Sequence, residues 1–357
     1  MGKYTAIDDP SAYFQAKTYT GNATDNTPIT NDGNSNLQAD WIWFKRRSSS
    51  ENHVLADSTR GVTKWLFSNS TTAEGTTTAR LKSFDTNGFT LGDTGSTNQN
   101  GANFVAWQWK ANGGTTSSNT DGTITTTTQA NGTAGFSIAT WTGNGTNGAT
   151  IGHGNGGIPN GYIVKRLDAT SDWGVGGGYT GNVWVGGTSA VMHLNTTGAV
   201  SEAYNNYWGS SFPNSQILPL SQNAEINASG GSYVGYFFRN IQGYSKLGKY
   251  VGNGNANGPF IYTGFKPAFV MIKRSDGVTN WRMFDNKRSG FNGDTSQLYP
   301  NLSNAEDSAG DQLELLSNGF KNRTVSGDQN GSGSNYIYMA FASSPFTTSS
   351  GIPTTAR

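Results

Sequence analysis

The sequence predicts an all-β protein made of three tandem antiparallel β-sandwich domains, and three observations carry that expectation. Helical periodicity is nearly absent along the 357 residues. Apolar residues fall in short runs bounded by Gly, Asn and Pro and rich in Val, Ile and aromatics, which is the pattern of strands. One ordered set of such runs occurs three times, at a period of roughly 110 to 120 residues. Composition agrees: 49 Gly and 13 % charged residues argue against helical bundles, while 18 Phe, 15 Tyr and 10 Trp supply enough rings for a core. Sandwiches of jelly-roll or lectin-like kind commonly run to about 100 residues, close to the period.

Each repeat is justified by the same landmarks in the same order. The first is a Gly-Asn pair behind an aromatic: Tyr19-Thr-Gly-Asn22, Trp141-Thr-Gly-Asn144 and Tyr250-Val-Gly-Asn253. The second is an apolar run closed by a basic pair: Trp41-Ile-Trp-Phe-Lys-Arg46, Tyr162-Ile-Val-Lys-Arg166 and Phe269-Val-Met-Ile-Lys-Arg274. Strand alternation sets Trp41 and Trp43 on one face and Ile42 and Phe44 on the other, so this strand is expected to be buried on both faces. The basic pairs are expected to snorkel at the strand ends. The third landmark ends each unit: Phe104 to Trp109, Tyr233 to Phe238 and Tyr336 to Phe341.

Units one and three share two further marks, Asp57-Ser-Thr-Arg60 with Asp285-Asn-Lys-Arg288, and Asn87-Gly-Phe89 with Asn318-Gly-Phe320. Unit two lacks both and has a Gly-rich, aromatic-rich stretch from Ser171 to Trp208 instead. The boundaries fall at 1–112, 113–243 and 244–357. The stretch Ala111 to Ala134 is either a linker or an edge hairpin around Thr123 to Gln129, and the tail from Thr347 is expected to be an extended arm.

A net charge of +1 gives no reason to expect nucleic acid or an anionic membrane as partner, and no apolar run is long enough to span a bilayer. The opening residues lack the apolar stretch of a signal peptide, so synthesis in a cytoplasm is expected. With no Cys there is no disulfide, thiolate zinc site or cysteine nucleophile. The three histidines, His53, His153 and His193, do not recur between units and carry no metal-binding spacing, and no Gly-x-Ser-x-Gly elbow nominates a serine. Two formal Gly-x-Gly-x-x-Gly matches, from Gly143 and from Gly152, precede no helix and so cannot cradle a pyrophosphate. The acidic run Glu306 to Asp311 lacks the spacing of a calcium loop. No enzyme, cofactor or metal is expected.

Binding is read from the aromatics. Trp173, Tyr179, Trp184, Tyr204, Tyr207 and Trp208 fall in the divergent stretch of unit two, where no repeat partner predicts their burial. They are either ligand or partner contacts or the filling of an interface between units or subunits. The pairs Asp57/Arg60 and Asp285/Arg288 are expected to lock a turn rather than meet a ligand.

Taken together, Tyr19-Thr-Gly-Asn22, Trp41 to Arg46, Asp57-Ser-Thr-Arg-Gly61, Ser83 to Leu91 and Phe104-Val-Ala-Trp107 resemble a repeat of virion structural proteins of marine tailed phages, notably cyanophages and pelagiphages. Tyr262 to Pro267, Phe284 to Arg288 and Tyr336 to Phe341 carry the same pattern in the third unit. The resemblance implies a virion component, assembled in the host cytoplasm, whose partners are other virion proteins and host-surface glycan. A homo-oligomer, taken as a trimer, is expected. Tail-fibre attachment is the leading expectation, capsid decoration or a head fibre the alternative. The departure of unit two puts any uniform role of the three units in doubt.

Overall fold

The computed structural model describes residues 4–354 except 180–181, 203–206, 289–295, 309 and 311. The chain is nearly all β, with 42 % strand and 3 % helix, so its class is as expected. All pairings between its strands are antiparallel.

Every sheet draws its strands from one repeat. In the first, Phe14–Thr20, Asn103–Trp109, Trp41–Arg46 and Val54–Asp57 lie side by side in that order, continued by Lys64–Phe67 and Gly75–Thr76. The second repeats the order with Phe136–Thr142, Ser232–Phe238, Gly161–Arg166 and Trp173–Gly176, and the third with Ser245–Val251, Asn335–Pro345, Phe265–Arg274 and Arg282–Asp285. A smaller sheet accompanies each: Thr27–Thr30, Gly88–Leu91 and Leu81–Asp85 in the first, Ala149–Gly152 with Ile217–Leu220 in the second, and Phe260–Tyr262, Gly319–Asn322 and Leu313–Leu316 in the third. The stretch after Ala111 is the edge hairpin, because Ser117–Asn119 pairs with Thr126–Asn131, which pairs with Phe136–Thr142. The tail folds back on itself, Thr348 N–H donating to Ile352 O, and meets the N-terminal segment where Ser349 bonds Asp8.

Alternation along the strands explains how the units meet. Ile42, Phe44, Val54, Ala56 and Ala106 face the small sheet of their own unit, among Leu81, Phe89 and Leu91. Trp41, Trp43, Trp107 and Trp109 face the other way, into a core shared with Tyr236 and Phe238 of the second unit and Phe269, Met339 and Phe341 of the third. Ring centroids lie 4.4 Å apart for Trp41–Tyr236, 5.6 Å for Trp109–Phe341 and 6.0 Å for Phe238–Phe341, so all three pairs of units touch at the centre. Rings of this size bury on the order of 150–250 Å² each, which makes this common core a major source of cohesion.

The Gly-Asn landmark now has a cause. Beside it stands a fully buried Asn in each unit: Asn98, Asn227 and Asn330. Its side-chain carbonyl accepts the N–H of Asn22, Asn144 or Asn253, and its amide donates to Thr24 O, Thr146 O or Asn255 O. The preceding glycine lets the chains approach, since a Cβ on Gly21, Gly143 or Gly252 would lie within 2.4 Å of a facing carbonyl oxygen.

The lysines that end the second landmark do not snorkel. Lys45, Lys165 and Lys273 are wholly buried, and their ammonium groups donate to backbone carbonyls. Those acceptors are Arg46 and Ser303 for Lys45, Thr71 and Ser171 for Lys165, and Arg274 for Lys273. Desolvation, aided by the neighbouring arginine, lowers the pKa of each to about 8. For Lys45 and Lys165 one acceptor, Ser303 O or Thr71 O, comes from the adjoining unit, whereas Lys273 is held by its own turn through Arg274 O and Gly277 O.

Candidate functional site

The residues singled out by the sequence converge on the junctions between units. Three equivalent backbone bonds run around the ring: Ser171 N–H of the second unit donates to Thr71 O of the first, Thr279 of the third to Thr197 O of the second, and Glu51 of the first to Ser303 O of the third. A second set runs the other way, from Glu74 to Leu167 O, Val200 to Ser275 O and Glu306 to Arg47 O. The units thus form a closed cycle rather than a row.

Asp57/Arg60 and Asp285/Arg288 are clasps at two of these junctions. Asp57 Oδ2 accepts from Arg60 Nε at 2.6 Å and from Tyr236 OH of the second unit at 2.7 Å. Asp285 Oδ2 accepts from Arg288 Nε at 2.5 Å and from Trp107 Nε1 of the first unit at 2.9 Å. In both, the other oxygen caps the turn by accepting the arginine's own N–H. Arg60 and Arg288 extend to Glu74 and Glu306. Burial disfavours the Arg60 charge, but Asp57, Tyr236 and Glu74 outweigh it and raise its pKa above the ordinary value.

The third junction explains why unit two has no such pair. Trp107 and Tyr236 correspond to Met339 in the third unit, which has no proton to donate, and the place of Asp57 and Asp285 is taken by Gly177. Trp184 closes the gap. Its backbone N–H bonds Gly177 O and its indole N–H donates to Tyr338 O of the third unit at 3.0 Å. A Cβ on Gly161 or Gly177 would collide with that indole.

Four of the six second-unit aromatics are buried, which corrects the expectation of ligand contact for those four. Trp173, Trp184, Tyr207 and Trp208 are at most 2 % exposed. Trp173 Nε1 donates to Phe67 O of the first unit, and Trp208 Nε1 to Ala190 O. They fill the interface between units and the interior of the second. Tyr204 lies outside the described residues; Tyr179 pairs with Asn182 in a two-stranded hairpin, its side chain likewise outside them.

Two of the histidines are buried structural rings. His53 Nδ1 accepts from Trp43 Nε1 at 2.8 Å, and burial pushes its pKa well below the ordinary value. His153 contacts Asn214 O, and burial lowers it to about 4. His193 is half-buried, 3.0 Å from Glu225 Oε2. Of the acidic run, Glu306 pairs with Arg47 and Arg288 while Asp307 accepts from Gln297 and Tyr299; Asp311 lies outside the described residues.

Exposed rings occur instead on the third unit. Phe260 and Tyr262, two apart on an edge strand of its small sheet, are 45 % and 49 % exposed. Lys246 lies over Tyr262 at 5.4 Å, and Tyr4 OH approaches Tyr262 OH at 3.4 Å. The strand follows an exposed loop carrying Asn253, Asn255 and Asn257. Sequence reasoning missed this surface because it sought binding rings in the divergent stretch of unit two, and Phe260 and Tyr262 lie in the third unit. Two shallow recesses of about 320 and 360 Å³ also open, one beside Tyr4 and Arg239, the other over Arg60 at the junction of the first and second units.

The model of a family described as a domain of unknown function, DUF7483, matches residues 9–345, and the chain belongs to that family. No curated protein and no solved structure matches it significantly.

Proposed function

We propose that this chain is a structural protein of a phage virion, placed on the tail and contacting host-surface glycan. The observation that carries the glycan contact is the exposed Phe260 and Tyr262 pair beside an Asn-rich loop. Sugar rings stack on such faces through their C–H edges, while amides satisfy the hydroxyls. The virion assignment rests on the resemblance of the repeat landmarks to phage structural proteins, and the closed cycle supports it by giving one body in which each unit carries a small sheet on the face away from the common core. On this reading the units are three sandwiches joined as an internal trimer.

Capsid decoration is the second reading, favoured by the same cycle, whose three similar outer faces suit a threefold position on a shell. Quantitative mass spectrometry of purified particles with antibody labelling separates the two. A few copies at the tail support attachment; hundreds over the head support decoration; absence from particles refutes both. On the attachment reading, Phe260→Ala with Tyr262→Ala lowers adsorption to host cells while particles still assemble, and unchanged adsorption refutes the glycan surface.

A further inference from the structure

The three units allow one location to be compared three times within the same chain. It lies between a loop Asn that holds the second-landmark hairpin (Asn69, Asn195 or Asn301) and the buried Asn of the Gly-Asn clasp (Asn98, Asn227 or Asn330). The loop Asn in each unit accepts the backbone N–H of His53, Trp173 or Trp281 and donates to the side chain just before it, at Asn52, Asp172 or Asn280. Two residues before each loop Asn stand Phe67, His193 and Tyr299; two before each clasp Asn stand Ser96, Glu225 and Asp328.

In the first and third units a guanidinium occupies this location. Arg80 lies 5.6 Å from the Phe67 ring and donates to Ser96 Oγ. Arg282 lies 5.9 Å from the Tyr299 ring and bonds Asp328 at 2.6 Å. The second unit has Gly174 in the place of Arg282, and the side chains around the location change together into metal-ligand types. Asn52 and Asn280 become Asp172, Phe67 and Tyr299 become His193, and Ser96 and Asp328 become Glu225. One ligand atom from each of these three lies within 4.8 Å of the others. Two carboxylates there face one ammonium, that of Lys165, which interacts with both.

We infer that Asp172, His193 and Glu225 bind a divalent transition metal of the zinc class where the other two units hold an arginine. An imidazole nitrogen and two carboxylate oxygens suit that class better than calcium or magnesium, which take oxygen ligands. Ligand atoms about 3.4 Å apart are expected around a tetrahedral ion with bonds near 2.1 Å, and His193 Nε2 is already 3.0 Å from Glu225 Oε2. Asn195 holds Asp172 Oδ1 and Tyr207 OH bonds Glu225 Oε2, so both carboxylates have the outer partners that orient ligands. The ion completes its shell with water. It also braces a junction, because Trp281 Nε1 of the third unit donates to His193 O. Ligands at 172, 193 and 225 obey no short spacing, which is why no motif marks them.

The test is Zn²⁺ titration of the chelator-treated full chain by calorimetry, with Co²⁺ absorption as a second readout. One Zn²⁺ per chain, visible Co²⁺ bands, and affinity reduced at least roughly tenfold in Asp172→Asn and His193→Phe are expected. Both variants install the residue the first unit already has at that position, so the fold accommodates them; thermal melts verify this, and Glu225→Gln is the third variant. No saturable binding of Zn²⁺ or Co²⁺, or binding that all three variants leave unchanged, overturns the inference.

Discussion

Asp285→Asn is the sharpest probe of the cycle. The wild-type carboxylate accepts from Lys287 and Arg288 backbone N–H with one oxygen and from Arg288 Nε and Trp107 Nε1 with the other. An amide retains the first oxygen as acceptor and turns an NH₂ toward two buried donors. Arg288, whose side chain is wholly buried, keeps Glu306 and Met283 O but loses its closest counter-charge. Removing one partner of a buried pair costs about 3–5 kcal/mol, and the indole N–H left unsatisfied adds about 1–3 kcal/mol, partly counted already. A loss of about 4 kcal/mol is therefore expected, a large fraction of the roughly 5–15 kcal/mol of a typical domain. Urea unfolding followed by tryptophan fluorescence measures it, with Trp107→Phe as a comparison that removes the indole donor while keeping both charges, at the added cost of a smaller ring in a buried position. A loss below about 1 kcal/mol for Asp285→Asn would refute the clasp as a stabilising contact.

Three further outcomes follow from the same geometry. Because the central core is common to all three units, a fragment comprising residues 1–112 alone is expected not to fold, seen as a collapsed amide spectrum; a well-dispersed spectrum would mean independent units. His153 and His53 are held neutral by burial, so below pH 6.5 the unfolded chain takes up protons that the folded chain refuses. The His153 contribution is complete above pH 6.5 and is lost as the pH falls toward about 4, roughly 3 kcal/mol, and that of His53 is lost in the same direction; denaturant midpoints at pH 7 and pH 5 check this, and His153→Gln should flatten the difference. Asn330→Ala leaves the Asn253 N–H and the Thr324 carbonyl without their buried partner and is expected to cost about 2–3 kcal/mol, with Asn98→Ala and Asn227→Ala matching it; a near-neutral result at all three would dismiss the clasp.

Much of the local structure was legible because it depends on neighbours in sequence. Alternation in Trp41 to Phe44 correctly placed two side chains on each face of one strand, and the repeated landmarks fixed which strands recur. Asp57 with Arg60, and Asp285 with Arg288, are three apart and close a turn whatever surrounds them, so their pairing was readable too. What lies across the units was not. Lys45 and Lys165 look like strand-end residues bound for water, and a carbonyl brought over each from the neighbouring unit, Ser303 O or Thr71 O, helps make burial tolerable. Trp184, Tyr207 and Trp208 look free in the sequence because no repeat partner accounts for them; Trp184 stands where the other units have the Asp-Arg clasp, while Trp173 does have a counterpart, Trp281, which makes the same kind of bond to the neighbouring unit.

By itself, the sequence determined the all-β class, the threefold repetition and the strand faces, since short-range periodicity and turn chemistry are written in adjacent residues. The tertiary structure decided that the repeats close into a cycle around one core, which rings are left on the surface, and that Asp172, His193 and Glu225 meet. These depend on contacts between residues tens to hundreds of positions apart, and no local pattern encodes where such a contact falls.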